Sequence, residues 1–260
     1  MSITLTSNST DFTTMLPNPI NLDNDTNYEA ALTSLHTYNS CPNITNENNK
    51  LRYSIDKGIT WKDIALSTGA YELAEINNEI QRQMIENDDY DKESNTFYIN
   101  ITVNKPTSKS ILEINNENYM IDFSMQNSLA STLGFENKSY PSGIYESPYV
   151  IDIEKVNAIL IHCSFVTGSI INGINSQVIH LFSPNVSPGY KIIEIPKPQL
   201  IFHPVIQQPK IDRVRIWLTD QNNNIIDLRG EKVTLNILIR KVDNTPKVLQ
   251  EIKSIILKFA

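Results

Sequence analysis

Between Arg213 and Val242 the chain reads RVRIWLTDQNNNIIDLRGEKVTLNILIRKV, two alternating runs joined by a polar turn and a short charged connector. In the first run Val214, Ile216 and Leu218 share one phase, and Arg215 and Trp217 the other. In the second, Val233, Leu235, Ile237 and Ile239 alternate with Thr234, Asn236, Leu238 and Arg240. Successive side chains of a strand point to opposite sides, so a period of two marks a sheet with one face on a core. Antiparallel sheets accommodate this pattern, whereas parallel sheets, covered on both faces, read as continuous apolar runs. No group of catalytic side chains interrupts either run. The segment predicts an all-β scaffold whose product is a surface.

The same reading extends through most of the chain. Ile3 and Leu5 alternate with Ser2, Thr4 and Thr6, which predicts a short first strand leading into a loop through Pro17 and Pro19. Tyr28 to Tyr38 (YEAALTSLHTY) fits helix or strand, and the turn-forming residues on either side favour strand. Leu51 to Ile64 predicts a hairpin turning at Asp56-Lys57-Gly58. One real helix follows. Leu73, Ile76, Ile80 and Met84 recur at helical spacing, Ser67 or Thr68 offers a cap, and Glu72 and Glu75 suit the first turns. Its apolar stripe is expected to pack on its own sheet.

Phe97 to Val103 predicts a strand, and Ser110 to Ile114 with Tyr119 to Phe123 a hairpin across Asn115-Asn116. Asn127 to Phe135 predicts a short helical turn ending at Gly134. Beyond Ile159 nearly everything reads as strand: Ile159 to Val166, Val178 to Phe182, Lys191 to Ile195 and Leu200 to Ile206, punctuated by prolines at 184, 188, 196, 198, 204 and 209. Short strands at fairly even spacing predict an antiparallel sandwich or barrel, with residues 1–242 taken as a single domain.

Residues 246–260 (PKVLQEIKSIILKFA) place Val248, Leu249, Ile252, Ile255, Ile256 and Phe259 near helical spacing among Lys247, Lys253 and Lys258. The segment 243–260 is therefore expected to be an amphipathic tail. It could dock on its own domain, grip a neighbouring subunit or lie on a membrane surface.

Bulk properties narrow the function. A net charge of −7 disfavours coating nucleic acid, and no basic stripe interleaves with aromatics. No run approaches the ~20 apolar residues of a membrane span, and the first residues lack the basic and apolar regions of a secretory signal. Cys41 and Cys163 are far apart, which fits folding in a reducing compartment. Asn-x-Ser/Thr sites at Asn8, Asn24, Asn43, Asn100, Asn137 and Asn185 then read as chance occurrences.

The chemistry-bearing residues do not assemble into a motif. His36, His162, His180 and His203 are scattered singly, and adjacent His162 and Cys163 point to opposite faces of a strand. His180 and His203 could approach each other across a sheet. GxSxG, GxGxxG, Walker A and HExxH are all missing. Asp220 and Asp227 read as turn residues. No catalytic, cofactor-binding or metal-ligating residue is therefore assigned, and the chain is not expected to be an enzyme.

Several segments taken together resemble the minor capsid (penton) proteins of Polinton/Maverick elements and adintoviruses, similar in role to virophage pentons. They are SITLTSNST, LPNPINL, NYEAALTSLHTYNSCPNI, SLASTLGF, VNAILIHCSFVTGSIINGI, SPGYKIIEIPKP and RVRIWLTDQNNNIIDLRGEKVTLNILIRK, spanning Ile3 to about Lys241. The resemblance implies a single jelly-roll β-sandwich, carrying here the one inserted helix and the short helical turn. It further implies a homopentamer at the fivefold vertices of an icosahedral virion. There it would contact a double-jelly-roll major capsid protein, with a vertex spike or fibre as a further candidate partner. It names no functional residues. No large insertion domain of the sort some pentons carry is evident in the sequence. The competing expectation is a jelly-roll binding module for carbohydrate or a receptor, without catalysis.

Overall fold

The computed structural model describes residues 1–23 and 25–242. The predicted tail, residues 243–260, lies outside the described residues, as does the Asn24 of the second glycosylation sequon. The chain opens with β1 (Ser2–Ser7), β2 (Asp11–Asn21) and β3 (Tyr28–Tyr38). Next come β4 (Lys50–Ser54), β5 (Lys62–Ala65), α1 (Leu73–Glu86), β6 (Ile99–Asn104), β7 (Lys109–Ile114) and β8 (Met120–Asp122). Then follow α2 (Ala130–Leu133), β9 (Ser139–Tyr140), β10 (Gly143–Glu146) and β11 (Ile159–Cys163). The described chain ends with β12 (Ser169–Ile171), β13 (Ile174–Ser176), β14 (Val178–Phe182), β15 (Lys191–Glu194), β16 (His203–Pro204), β17 (Lys210–Thr219) and β18 (Val233–Lys241).

The fold is all-β. One sheet runs β1-β18-β3-β15, with β16 also on β3, and the other runs β14-β11-β17-β2. All their pairings are antiparallel, and together they make a jelly-roll sandwich. The alternation in the opening segment sets which residues fill it. Val214, Ile216 and Leu218 from β17 and Val233, Leu235, Ile237 and Ile239 from β18 are all buried in its core. The β1–β18 register places Ile3 opposite Ile237 and Leu5 opposite Leu235, so both strands present their apolar phase inward.

Residues 1–242 are expected to form a single domain, and within them the buried side chains divide. They form two clusters. The sandwich cluster draws on residues up to Leu35 and from Ile159 onward, and the second draws on Ile44 through Tyr140. The second cluster lies among the sheets β5-β4-β8-β9 and β10-β7-β6 and helix α1, all in the stretch between β3 and β11. Both clusters rest on the same local alternation, so the division arises from long-range pairing that periodicity does not encode.

Local expectations fare unevenly. The stretch through Pro17 and Pro19, expected as a loop, is instead strand, within β2. The segment 28–38 is strand, and β4 and β5 form the predicted hairpin, with Lys57 and Gly58 at φ 61° and 86° in its turn. The helix carries the predicted stripe, with Leu73, Ile76, Ile80 and Met84 buried. It starts later than Ser67 or Thr68 because Gly69 exchanges backbone hydrogen bonds with Ile44, which holds that stretch extended. Its start is marked instead by the Glu72 N–H donating to the Glu75 carboxylate at 2.7 Å. Asn77 of α1 accepts from the Ile101 N–H of β6 at 2.7 Å, fixing the helix against its own sheet.

The predicted hairpin across Asn115-Asn116 is absent. β7 pairs with β6 and β10, while β8 pairs with β4 and β9 in another sheet. The Asn115 N–H donates to the Tyr98 carbonyl, so the chain finishes its pairing along β6 before crossing over. The strand expected over Leu200 to Ile206 shrinks to β16, in a stretch crowded with prolines.

Gly134 closes α2 in the left-handed conformation at φ 78°, as its place in SLASTLGF predicts. A Cβ there would stand 2.3 Å from the Tyr149 carbonyl oxygen. Gly134→Ala is therefore expected to cost the ~1–2 kcal/mol of left-handed backbone plus the displacement of residues 147–149. A denaturant midpoint equal to that of the parent chain would contradict this.

Candidate assembly surface

Strand β11 is buried at all five positions. Ile159, Ile161 and Cys163 enter the sandwich core, so Leu160 and His162 belong to the opposite, outward phase, yet they are only 2% and 3% exposed. Their cover comes partly from strand neighbours. Leu160 stands opposite Leu181 of β14 and Thr219 of β17, and His162 opposite Val178 and Trp217.

The His162 ring stacks on Trp217 with centroids 4.8 Å apart and planes 13° from parallel, and its Nε2 lies 2.9 Å from the Thr219 hydroxyl. Burial depresses the imidazole to about 4, so the ring is neutral near pH 7. The Arg215 guanidinium sits 4.9 Å from the Trp217 ring and donates to both Asp11 carboxylate oxygens, at 2.9 and 2.7 Å. Trp217, on the outward phase of its strand, is thus half-buried. The result is a tier across β2, β17 and β11 in which Asp11, Arg215 and half-buried Trp217 reach the surface over buried His162 and Thr219.

The outward face of the other sheet is polar and internally bonded. Thr4 donates to Asn236 at 2.5 Å, Asn236 to Ser34 at 2.9 Å, and Thr6 and Thr234 share a 3.1 Å hydrogen bond. Arg240 bonds Glu29 and stacks 3.4 Å from the Phe202 ring centre. This face has its hydrogen bonds satisfied within one chain, whereas the β14-β11-β17-β2 face offers rings and aliphatic groups.

At one side of the sandwich the two sheets are linked by side chains. His180 of β14 and Glu194 of β15 meet at 2.9 Å. His203 of β16 is depressed by burial and by the charge of His180, but the two histidines stand on strands of different sheets and do not face each other across one sheet. Among the described residues, no group of three or more histidine, cysteine or acidic side chains is placed to hold a metal ion. Cys41 and Cys163 are both free. Asp220 accepts from the Asn222 and Asn224 N–H groups at 2.8 Å each, the turn role predicted for it.

Exposed apolar groups concentrate on strand ends and edges. Ile170 and Ile174 flank the β12–β13 turn at 67% and 72% exposure, and Leu181, Ile193 and Ile195 lie on or beside edge strands β14 and β15. A cleft of about 660 Å³ lies between Cys41, Tyr71 and Glu72 on one side and Pro184 and Pro188 on the other.

The solved structures contain the same fold. The crystal structure of a mavirus penton protein superposes with a TM-score of 0.50 at 12% identity, covering 93% of this chain and 98% of that one. At that identity the likeness establishes architecture, end to end. No family model matches the chain, and no curated protein sequence matches it. Sequence reasoning missed the outward tier of Leu160 and His162. The available signal was the unbroken apolar character of AILIHCSF, which marks a strand covered on both faces.

Proposed function

We propose that this chain is a penton, the minor capsid subunit that closes the fivefold vertices of an icosahedral virion. The observation that carries the reading is the end-to-end fold likeness to a mavirus penton protein, which leaves little of either chain unmatched. The penton-like segments in the sequence point the same way and suggest a Polinton, Maverick or adintovirus source. Residues 1–242 then act as a jelly-roll body carrying the second cluster as an inserted unit, and the partners are four further copies and a double-jelly-roll major capsid protein.

Such a subunit works by shape. Five copies close a ring when each offers one surface to a different surface next door. A standard junction buries ~800 Å² per partner. The β14-β11-β17-β2 face and the β12–β13 turn are the candidate contributors, because exposed Leu181, Ile170 and Ile174 and half-buried Trp217 lie there. A subunit of net charge −7 repels its own copies, and added salt screens that repulsion.

Native mass spectrometry over a salt series tests this reading. The expected result is a species at five times 29.6 kDa whose yield rises with salt. A monomer at every salt, unchanged by a major capsid protein, would remove the proposal. In that case the binding-module reading gains, and its one supporting observation is that Tyr38 and Tyr190 are both exposed at the same end of the β3–β15 pair.

A further inference from the structure

A cleft of about 600 Å³ opens beside the end of β18. Its walls are the β2–β3 connection, with Leu22 and Tyr28, and the stretch that follows β16, with Pro204, Val205, Ile206 and Pro209. Backbone hydrogen bonds hold these walls together: the Leu22 N–H donates to the Pro209 carbonyl and the Val205 N–H to the Tyr28 carbonyl, each at 2.9 Å. Val242 forms part of the rim, and its N–H donates to the Asn27 carbonyl at 2.8 Å. The cleft is thus a formed feature of the sandwich, and the chain passes its edge where residues 243–260 begin.

Those residues carry what the cleft lacks. Val248, Leu249, Ile252, Ile255, Ile256 and Phe259 recur near helical spacing in the sequence, and the segment holds three lysines against two acidic residues. The rim acids Asp23 and Glu29 complement that charge, although Lys241 and Arg240 already bond them. From Val242 to Val248 an extended chain reaches ~20 Å, more than enough to turn back onto a cleft that starts at Val242. A cleft of this volume falls within the usual range for small ligands, so it takes a few side chains of the stripe and not the whole of it.

We propose that this cleft is the docking site for residues 243–260 of the same chain, seated by aliphatic side chains of their apolar stripe. The segment then straps the β2–β3 connection to the stretch after β16 and holds the edge of the β1-β18-β3-β15 sheet in place. The inference does not depend on the penton reading, since it concerns one chain folded on itself.

Hydrogen exchange on the full chain tests it, using Ile252→Glu combined with Ile255→Glu as one variant and Ile206→Glu as the other. The tail variant is expected to speed exchange of the Leu22, Val205 and Val242 amides about tenfold, leaving β11 unchanged. Ile206→Glu is expected to speed exchange of amides within residues 247–260. Unchanged exchange at both places would overturn the proposal. Protection that falls away on dilution would also overturn it, because the segment would then occupy a neighbouring copy and not its own chain.

Discussion

Phe123→Ala is expected to destabilise the inserted unit by about 3–5 kcal/mol while leaving the jelly-roll sandwich folded. Phe123 is fully buried, stacks on Phe135 at 5.5 Å with planes 8° apart, and meets Tyr140 edge-on at 5.9 Å. Removing the ring leaves a void among Phe135, Tyr140 and Ile121 that close-packed neighbours refill only in part. None of the residues that would lose contacts belongs to the sandwich cluster.

The loss should therefore stay local. Exchange in β4 and β8 should accelerate strongly, and exchange in β11 and β18 should not. If β11 and β18 open in step with β4 and β8, the two clusters form one cooperative unit and the inserted unit has no independent existence. The outcome bears on function as well. A body that stays folded when the insertion loosens can still close a ring, so pentamer yield in Phe123→Ala would reveal whether the inserted unit takes part in subunit contacts.

What the sequence discloses follows from where its information is local. β17 and β18 are legible because alternation is a property of consecutive residues, and Val233 through Ile239 carry it without interruption. Gly134 is legible because a left-handed helix end favours glycine. Pairing partners are a different matter. Ser110 to Ile114 and Tyr119 to Phe123 are both strands joined by a turn-like Asn-Asn, yet they part because β4 and β6 are better neighbours for them than they are for each other. The same limit hides the two cores. Nothing in the composition near Cys41 or Val156 differs from an ordinary loop, and only three-dimensional pairing sends Ile44 and Ile159 to different interiors. The outward tier was legible in part: Trp217 was visible as an outward residue, but its partner His162 lies 55 positions away and is joined to it by register alone.

His162 should make the protein lose stability on mild acidification, in a window of its own. Burial holds the native imidazole at about 4, against about 6.5 in the unfolded chain. Between those values the unfolded chain binds a proton that the native state refuses, so stability declines as pH falls from 6.5 and the effect levels off below 4. The full span amounts to about 3 kcal/mol, at 1.36 kcal/mol for each pH unit. Asp122 acts elsewhere. Burial would raise its carboxyl, but hydrogen bonds from the Ser124 N–H, Arg52, and the Ser124 and Ser139 hydroxyls outweigh that and lower it. Its contribution is present above 3.8 and is lost only below that value.

His203, also depressed, adds to the upper window, so the variant isolates the one ring. His162→Asn keeps a polar group near Thr219 that does not titrate, and should lose about 2–3 kcal/mol less than the parent between pH 7 and pH 4.5. Equal losses in denaturant titrations would show that His162 titrates normally and that its stacking on Trp217 does not shield it. A proton on His162 would place charge under Trp217, but the native ring takes one up only near pH 4, so the outward face proposed to meet a neighbouring subunit keeps its neutral ring through the window in which stability falls.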